Sequence, residues 1–502
     1  MSKFHPIAFY ENPSDRLLNP EYDLLPFSFS ELDQARYVLT NIAGQYFTSR
    51  EVRSGQYFVV SKEDLHSFAN HKLPSTSSTY IDLRARHFLA DSHSRMAPDL
   101  LAIKLRTRSE RLADFTSLHI FVVTLRCEHS CPYCQVSRQS EDKETFDMSV
   151  SHANASLAIA MRSPAKNLKI EFQGGESLLN FELIKHIVIE AKRLNENAVE
   201  SKNLGFVIAT NLAIITDEIL HFCKAHDIYI STSLDGPKAL HNKNRPRPGG
   251  DSYERVTAGI DRVRNYLGRE KVSALMTTTE AALSQVKEII NEYLDRNFNG
   301  IFLRPLSPYG FAIKTKSYRA YNTNRWLDFY FEGLEYIIEL NRQGIEFREQ
   351  YAATILRKML TSTDPGYVDL MSPAGVAVGA IVYNYDGSVF ASDESRMLAE
   401  MGDQKFRLGN VADNSYEEIF LNDTLLEALD DSFAQSVPMC TDCAFEPFCG
   451  SDPVFHWGQH RDLVGRKTES EFCQRNMSIF KYLIEKMESD RFVRALFLKW
   501  AN

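Results

Sequence analysis

The cysteines of this 502-residue chain are the residues whose type and spacing most directly suggest chemistry. Seven of the eight fall into two groups, one near residue 130 and one between residues 440 and 473. Clustered thiols in a reducing compartment usually bind metal or carry out redox chemistry. The eighth, Cys223 in EILHFCKAHD, stands alone, and we expect it to be a small buried apolar residue.

The first group is Cys127, Cys131 and Cys134 in the segment TLRCEHSCPYCQVSR, with Tyr133 directly before the last cysteine. Three thiolates in one loop suit a cubane cluster of four irons, one of which is then left without a protein ligand. An open metal position is typical of catalytic sites, whereas structural sites are closed. The alternative is a zinc knuckle whose fourth ligand could be His129.

The second group is Cys440, Cys443 and Cys449 in CTDCAFEPFCG, followed by Cys473 in ESEFCQRN. Four thiolates complete a closed site, which could hold zinc or an auxiliary 4Fe–4S cluster. The spacing alone favours zinc.

Short β-branched runs alternate with amphipathic stretches between residues 118 and 306, which predicts a parallel sheet, open or rolled into a partial barrel. The predicted strands are 118–125, 168–172, 205–210, 228–234, 272–279 and 301–306, and the predicted helices are 148–162, 180–197, 216–226, 251–267 and 283–296. The first cysteine group directly follows the first strand. In such folds the reactive site lies at the carboxyl ends of the strands.

Polar residues follow several of these strands. The second strand leads into Gln173-Gly174-Gly175-Glu176, the third ends at Thr210-Asn211, and the fourth ends with Ser231, Ser233 and Asp235-Gly236. The glycines would let a ligand approach the backbone closely. Glu176 could accept from an ammonium group, and the hydroxyls and Asp235 could bind a ribose. Ordinary strand-end polarity is the alternative for each residue taken alone.

The flanking regions have other patterns. Residues 37–60 resemble paired strands, and SKEDLHSFANH resembles a short capped helix. Two helices are predicted within 322–362, a hairpin with an Asp386-Gly387 turn within 376–393, and one long amphipathic helix from about 471 to 500.

Composition limits the function classes. The chain has 57 Lys and Arg against 66 Asp and Glu, a net charge of −9, so a nucleic-acid-binding protein is not expected. The sequence contains no run of about 18 apolar residues, so we expect no membrane span. The start, MSKFHPIAFYEN, lacks the apolar region of a signal peptide, so we expect a cytoplasmic protein.

The CxxxCxxC loop with an aromatic residue before its last cysteine, followed by a GGE segment, resembles the radical S-adenosylmethionine (SAM) enzymes over about residues 118–310. The resemblance implies a partial (β/α)6 TIM-like barrel and a 4Fe–4S cluster on Cys127, Cys131 and Cys134. The open iron would bind the amino and carboxylate groups of SAM, and one electron would cleave SAM to a 5′-deoxyadenosyl radical. The resemblance also implies a SAM site. In that site Glu176 holds the methionine ammonium and Arg245 pairs with the methionine carboxylate. Ser233 and Asp235 lie near the ribose, Tyr133 lies near the adenine, and the remaining residues of the site are Gly174, Gly175 and Asn211.

Residues 372–480 are similar to the SPASM domain, the C-terminal extension of many peptide-modifying radical SAM enzymes. Cys440, Cys443, Cys449 and Cys473 together resemble the ligand set of its outer auxiliary cluster. Ser372, Ser392 and Pro453 stand where ligands of the inner cluster are usual, so we expect one auxiliary cluster. Asp393 stands where sulfatase-maturing relatives have a carboxylate that resembles a general base, and a plain loop carboxylate is the alternative.

Several segments, among them LKIEFQGGESLLNF and STSLDGPKALHNKNRPRPG, resemble the His-Xaa-Ser system radical SAM maturases, and the match runs over about residues 20–480. This implies as partners a ribosomally made precursor peptide with His-Xaa-Ser repeats, a companion radical SAM protein and an electron donor. Our hypothesis is an oxidative cross-link between the His and Ser side chains. A non-catalytic or electron-transfer iron–sulfur subunit, a sulfatase-type formylglycine maturase and a zinc-binding regulator are the alternatives.

The resulting domain prediction has four parts. They are an N-terminal α+β domain (1–112), the radical SAM partial barrel (113–320), a helical connector (321–370) and a SPASM-like domain with the C-terminal helix (371–502). The N-terminal domain could recognise a leader peptide by strand addition near residues 37–60, or it could be a packing cap or partner interface.

Overall fold

The computed structural model describes residues 21–43, 57–314, 321–361 and 364–502 of the chain. None of the helices in these ranges combines the length and the hydropathy of a membrane-spanning segment. The architecture is α/β, as predicted, with a mixed eight-stranded sheet and a small N-terminal α+β unit.

The N-terminal unit has its own apolar core, in which Phe68, Leu83 and Phe88 are fully buried. Its strands and helices are β1 (Asp23–Leu24), β2 (Phe27–Glu31), β3 (Arg36–Asn41), β4 (Phe58–Ser61), α1 (Lys62–Ala69), α2 (Ser78–Ala85), β5 (Leu89–Ala90) and α3 (Ala97–Glu110). Ser61 caps α1 by accepting from the Asp64 amide, as the sequence predicts. The antiparallel pairing of β3 with β4 is also confirmed, although residues 44–56 of the predicted pair lie outside the described residues.

The barrel region alternates strands and helices as predicted. Its elements are β6 (Leu118–Thr124), α4 (Lys143–Phe146), α5 (Val150–Met161), β7 (Asn167–Gly174), α6 (Phe181–Glu196), β8 (Asn203–Ala209), α7 (Asp217–Ala225), β9 (Tyr229–Ser233), α8 (Lys238–Asn244), α9 (Ser252–Leu267), β10 (Val272–Leu275), α10 (Val286–Asp295), β11 (Gly300–Ile301) and α11 (Phe311–Lys314). Strands β6 to β10 pair in chain order, each parallel to the next. Their carboxyl ends therefore meet at one edge.

The sixth predicted strand, residues 301–306, is mostly irregular, and this prediction was wrong. Only β11 pairs, and it pairs with a short strand at residues 348–349 in a separate two-stranded sheet. The amide of Leu303 donates to the Glu349 carboxylate and that of Leu306 to the Tyr321 hydroxyl. Pro305 has no amide hydrogen to donate to a strand neighbour.

The connector and C-terminal region complete the fold. Its elements are α12 (Thr323–Arg342), β12 (Arg348–Glu349), α13 (Gln350–Leu360), β13 (Ala380–Tyr383), β14 (Ser388–Phe390), α14 (Asp393–Glu400), β15 (Arg407–Asn410), α15 (Tyr416–Phe420), α16 (Asp423–Asp430), α17 (Pro453–His460), α18 (Glu471–Ser489) and α19 (Arg491–Ala501). The predicted hairpin is confirmed as β13 and β14. Strand β13 runs parallel to β6, so the barrel sheet continues into this region.

The predicted single C-terminal helix is two helices. Asp490 ends α18 and caps α19, because its carboxylate accepts from the amides of Phe492 and Val493. Both helices pack into the same apolar core as the barrel helices.

Candidate functional site

The loop after β6, which carries the first cysteine group, is anchored by Arg126. Its guanidinium donates to both oxygens of Asp147, at 2.7 and 2.8 Å, and to the Leu179 carbonyl at 2.7 Å. A bidentate ion pair fixes direction as well as distance. The start of the cysteine loop is therefore held rigidly at the carboxyl end of β6.

The rest of this loop is held on two sides. The Ser130 amide donates to the Pro246 carbonyl at 2.7 Å, and the Phe311 amide donates to the Cys134 carbonyl at 2.9 Å. Gly310 has a positive φ of 61°, and a Cβ there would lie 2.6 Å from the Cys134 carbonyl oxygen. Segments far apart in the sequence thus enclose the loop.

The three thiols suit a metal cluster better than they suit free thiols. Cys127, Cys131 and Cys134 are all partly buried. Burial raises the pKa of Cys131 to about 12, although the positive charge of Arg245 opposes this. A bound cation stabilises the thiolate form and removes that penalty. The donor set therefore fits the three-cysteine cluster that the motif predicts.

His129 is poorly placed to complete a zinc knuckle. One oxygen of Glu128, one nitrogen of His129 and the Cys127 sulfur lie within 4.8 Å of one another. However, His129 Nδ1 lies 3.1 Å from Glu128 Oε1 and 3.0 Å from Asn211 Nδ2, and its Nε2 lies 2.8 Å from the Ser252 hydroxyl. Both ring nitrogens are thus hydrogen-bonded to protein groups, and zinc binding would break one of these bonds.

The two glycines of the GGE segment bring β7 against the cysteine loop. The Gly175 amide donates to the Thr124 carbonyl at 2.9 Å and the Glu176 amide to the Arg126 carbonyl at 2.8 Å. A Cβ at Gly174 would lie 1.8 Å from the Thr124 oxygen, and one at Gly175 would lie 2.2 Å from the Arg126 oxygen. We expected a ligand to use this space, but the backbone of the chain itself occupies it.

The Glu176 carboxylate is fully buried and accepts hydrogen bonds from three groups. It accepts from the Thr210 hydroxyl at 2.6 Å, the Leu178 amide at 3.0 Å and the Asn211 amide at 2.7 Å, and the Asn211 side chain links it to Glu128. Burial and the nearby charge of Glu128 raise the pKa of Glu176 to about 8. Two adjacent buried carboxylates suit a bound cation, since a cation relieves both desolvation and repulsion.

Tyr133, Asp235 and Arg245 form a second buried group. The Tyr133 hydroxyl donates to Asp235 at 2.5 Å, and the Arg245 guanidinium donates to both Asp235 oxygens at 3.0 and 3.2 Å. Burial raises the pKa of Asp235, but the charges of Arg245 and His241 and the hydrogen bonds from Tyr133 and Arg245 together hold the pKa below the usual value. Arg245 also lies 5.5 Å from the centre of the Tyr133 ring. Both oxygens of Asp235 are thus used by protein groups.

A buried hydrogen-bond chain joins the two groups. From Asn211 it passes through His129 to the Ser252 hydroxyl, which lies 3.1 Å from His241 Nε2. The Asp235 amide donates to His241 Nδ1 at 3.3 Å. Sequence reasoning missed Ser252 and His241, because nothing in their spacing marks them.

Ser233 is the last residue of β9 and lies beside Leu275 of β10 at the same sheet edge. The structure therefore brings Cys127, Cys131, Cys134, Tyr133, Glu176, Asn211, Ser233, Asp235 and Arg245 to one rim.

The second cysteine group also converges. Burial, and then the neighbouring thiols of Cys449, Cys443 and Cys440, raise the pKa of Cys473 to about 12, so all four interact. The Asn476 amide donates to the Cys449 sulfur at 3.5 Å. Four thiols in one place form the closed donor set that zinc or a 4Fe–4S cluster requires.

The N-terminal unit contacts this second group. Ser30 of β2 donates to the Cys443 sulfur at 3.9 Å and accepts from the Ala444 amide at 3.0 Å. Thr40 donates to the Ala444 carbonyl at 2.7 Å. Arg108 of α3 pairs with the buried carboxylate of Glu446 at 2.9 Å.

Asp393 begins α14, and its carboxylate accepts from Arg396 at 3.3 Å. The Arg396 side chain also donates to the Val136 carbonyl, two residues beyond the first cysteine group.

The three positions where ligands of an inner cluster are usual, and which lack cysteines here, have structural roles. Ser392 caps α14, Ser372 accepts from the Ala434 amide, and Pro453 is the first residue of α17.

A cavity lies between the barrel and the C-terminal region. Its wall includes residues 304–309, the beginnings of α12 and of α18 with Glu471, and three further carboxylates, Asp369, Glu394 and Asp452. Sequence reasoning missed this set, because its members come from separate elements and no motif links them.

Comparison with known proteins gives the following matches. Residues 121–292 match the family model of the Radical SAM superfamily. The cysteine-type anaerobic sulfatase-maturating enzyme of Clostridium perfringens is 22% identical over 389 residues, covering 74% of this chain and 97% of that enzyme.

Solved structures share the fold. Native anSMEcpe with bound AdoMet and Cp18Cys peptide superposes with a TM-score of 0.59 at 18% identity, over 75% of this chain and 98% of that one. Streptococcus suis SuiB bound to precursor peptide SuiA superposes with a TM-score of 0.52 at 12% identity, over 90% of this chain and 100% of that one.

Proposed function

We propose that this chain, whose residues 121–292 form a radical SAM domain, is a peptide maturase. A 4Fe–4S cluster on Cys127, Cys131 and Cys134 would leave one iron open for SAM. The observation that carries the proposal is the loop of three partly buried thiols, fixed against the GGE segment and matched by the family model.

The cluster and SAM, when bound, supply one-electron chemistry that abstracts a hydrogen atom from a substrate. The chain's own residues bind and orient them. Glu176, with Glu128 beside it, would bind the methionine ammonium, and Asn211 holds the two carboxylates apart. Tyr133 would line the adenine side, with Ser233 on the ribose side. Asp235 positions Arg245 for the methionine carboxylate.

The substrate we propose is a ribosomally made peptide with His-Xaa-Ser repeats, modified together with a companion radical SAM protein. The support is the resemblance of the sequence to maturases of that system, together with relatives described as a sulfatase-maturating enzyme and as SuiB bound to precursor peptide SuiA. A His-to-Ser cross-link removes two hydrogen atoms from the peptide. The first leaves by abstraction. For the second, Asp393 would accept the proton, and an auxiliary 4Fe–4S cluster on Cys440, Cys443, Cys449 and Cys473 would be the electron acceptor.

The decisive experiment is anaerobic reconstitution with an external reductant, SAM and the precursor peptide. We expect formation of 5′-deoxyadenosine and loss of two hydrogens per modified triplet by mass spectrometry. Cys131→Ala should abolish both, whereas Cys223→Ala is the matched control because Cys223 lies buried in α7, away from both groups. An iron-free wild-type protein after reconstitution would refute the proposal.

A sulfatase-type formylglycine maturase is the second candidate, favoured by the 22% identical relative that covers 74% of the chain. Incubation with a cysteine-containing sulfatase peptide distinguishes it, since conversion of that cysteine to formylglycine would support this candidate. Formation of 5′-deoxyadenosine by the chain alone would argue against a purely electron-transferring subunit.

A further inference from the structure

The cavity between the barrel and the C-terminal region has a charge pattern that the proposed chemistry does not use. Asp369, Glu394 and Asp452 line it, together with Arg304 and Arg475. Among the residues that the structure describes, none of these five forms an ion pair within 4.0 Å. Burial raises the pKa of Asp369, and the charges of Arg475 and Arg304 oppose this rise without a direct ion pair.

Burial disfavours the charged form of two of these carboxylates, Asp452 and Glu394. Asp452 uses one oxygen to accept from the amides of Val454 and Phe455, as the cap of α17, which leaves its second oxygen. Burial raises the pKa of Asp452 to about 6, and the charge of Asp369 raises it further. The pKa of Glu394 rises to about 8 because of burial and then because of Asp369 and Asp393. A ligand that donates a hydrogen bond would relieve these penalties.

Two donors on the wall of the cavity lack an acceptor in the described part of the chain. Trp326 is 1% exposed and lines the cavity, yet its indole Nε1 has no hydrogen-bond partner in the described part of the chain. The buried Nε of Arg475 likewise lacks one there. A buried donor without an acceptor costs free energy, so the occupant should also accept hydrogen bonds.

Aromatic rings form the walls between these polar groups. Phe302 stacks on Tyr351 at 5.6 Å, and Tyr351 lies 5.7 Å from Tyr367. Such walls favour a flat ring. The cavity also lies next to the first cysteine group, because Tyr309 lines it and Phe311 donates to the Cys134 carbonyl.

We infer that this cavity binds the imidazole ring of a substrate histidine. Imidazole is flat, donates from one nitrogen and accepts at the other. Lysine and arginine side chains only donate, carboxylates only accept, and phenylalanine does neither. The inference rests on the proposed function, since it names the side chain that a peptide maturase would hold beside its radical site.

The test uses the reconstituted full-length protein with SAM and fluorescently labelled peptides that carry one His-Xaa-Ser triplet. Matched peptides replace the histidine by lysine, glutamine or phenylalanine, and fluorescence anisotropy gives each Kd. We expect the histidine peptide to bind at least about tenfold more tightly than the lysine and phenylalanine peptides, because each of these replacements leaves a buried group unpaired. The glutamine peptide, whose amide donates and accepts but has no ring, should bind more tightly than these two and more weakly than the histidine peptide. Equal binding of the lysine peptide would overturn the inference in favour of a simple cation site, and equal binding of the phenylalanine peptide would leave only an apolar one.

Two variants of the protein add a second test. Trp326→Phe removes the indole N–H and keeps an aromatic ring in the wall, and Glu394→Gln replaces the carboxyl group by an amide of similar shape. Each should reduce the preference for histidine over phenylalanine about fivefold or more. Glu288→Gln, on the exposed face of α10, is the matched control. Circular dichroism and iron content verify folding.

The two failures are distinguishable. If the wild-type protein forms no 5′-deoxyadenosine and leaves the peptide unchanged, the proposed function is wrong. If it modifies the peptide but binds the four peptides equally, only the assignment of this cavity is wrong.

Discussion

The buried group of Tyr133, Asp235 and Arg245 makes a sharp prediction about Asp235→Asn. The substitution keeps the shape of the side chain and removes its charge. Asp235 is fully buried and the Arg245 side chain is 15% exposed, so the guanidinium would lose the charged partner that lies at 3.0 Å in a site that water hardly reaches.

The magnitude follows from the asymmetry of buried ion pairs. Removing one partner of such a pair costs about 3–5 kcal/mol of folding free energy, because the remaining charge stays buried. Tyr133→Phe removes one hydrogen bond, while Asp235 keeps Arg245 and the Thr277 amide, and it should cost only about 1–2 kcal/mol. Ser233→Ala, at the end of the same strand, should leave the unfolding midpoint nearly unchanged.

The assay is urea unfolding under anaerobic conditions, followed by circular dichroism, with SAM binding measured in parallel by equilibrium dialysis. We expect Asp235→Asn to lower the unfolding midpoint clearly more than Tyr133→Phe. The sequence-based role for Asp235, a ribose contact, predicts the opposite result, namely weaker SAM binding with an unchanged midpoint. A loss of less than about 1 kcal/mol in the free energy of unfolding for Asp235→Asn would refute the structural reasoning.

Three further predictions follow from individual contacts. Gly175→Ala should reduce iron incorporation, measured by iron analysis after reconstitution, because its Cβ would lie 2.2 Å from the Arg126 carbonyl oxygen. Gly205→Ala is the control, because a Cβ at residue 205 would have no neighbouring atom within 4 Å. Burial lowers the pKa of His119 to about 3, whereas its pKa in the unfolded chain is about 6.5. Below about pH 6.5 the unfolded chain therefore binds a proton that the folded chain does not, and the free energy of unfolding should fall on acidification by up to about 1.4 kcal/mol per pH unit. His119→Gln should reduce this pH dependence, measured by urea unfolding at pH 5 and 7. Arg108→Ala should remove the cationic partner of the buried Glu446 and lower the stability of the contact between the N-terminal unit and the second cysteine group by about 3 kcal/mol. Limited proteolysis of the N-terminal unit should then become faster, and an unchanged rate would contradict the contact.

The barrel was predictable because periodicity records burial. Strands such as β6, which is buried on both faces, appear in the sequence as continuous β-branched runs. The cysteine motif and the GGE segment were also visible, because their residues are neighbours in the sequence. The roles of Gly174 and Gly175 were not, since the backbone that they approach belongs to another strand.

The errors share a physical cause, which is partners far away in the sequence. Residues 301–306 have strand composition, but the Glu349 carboxylate and the Tyr321 hydroxyl take their amides. Asp490 within an amphipathic run resembles a solvent-facing helical residue, and only its bonds to two following amides identify it as a cap. The carboxylates of the cavity come from three different elements, so no local pattern could join them.

The N-terminal unit has a consequence for how peptide recognition can be tested. In the unit's β2–β3–β4 sheet, β3 is central, so an incoming peptide strand could add only at β2 or β4. Ser30 on β2 contacts the second cysteine group, whereas β4 lies on the other side of β3. Deleting the whole unit would therefore also remove contacts from Cys443 and Ala444, and a loss of activity could arise from either cause. Substitution of Val59 on β4 by proline, which blocks an edge amide without touching the cysteine loop, separates peptide binding from the integrity of that loop.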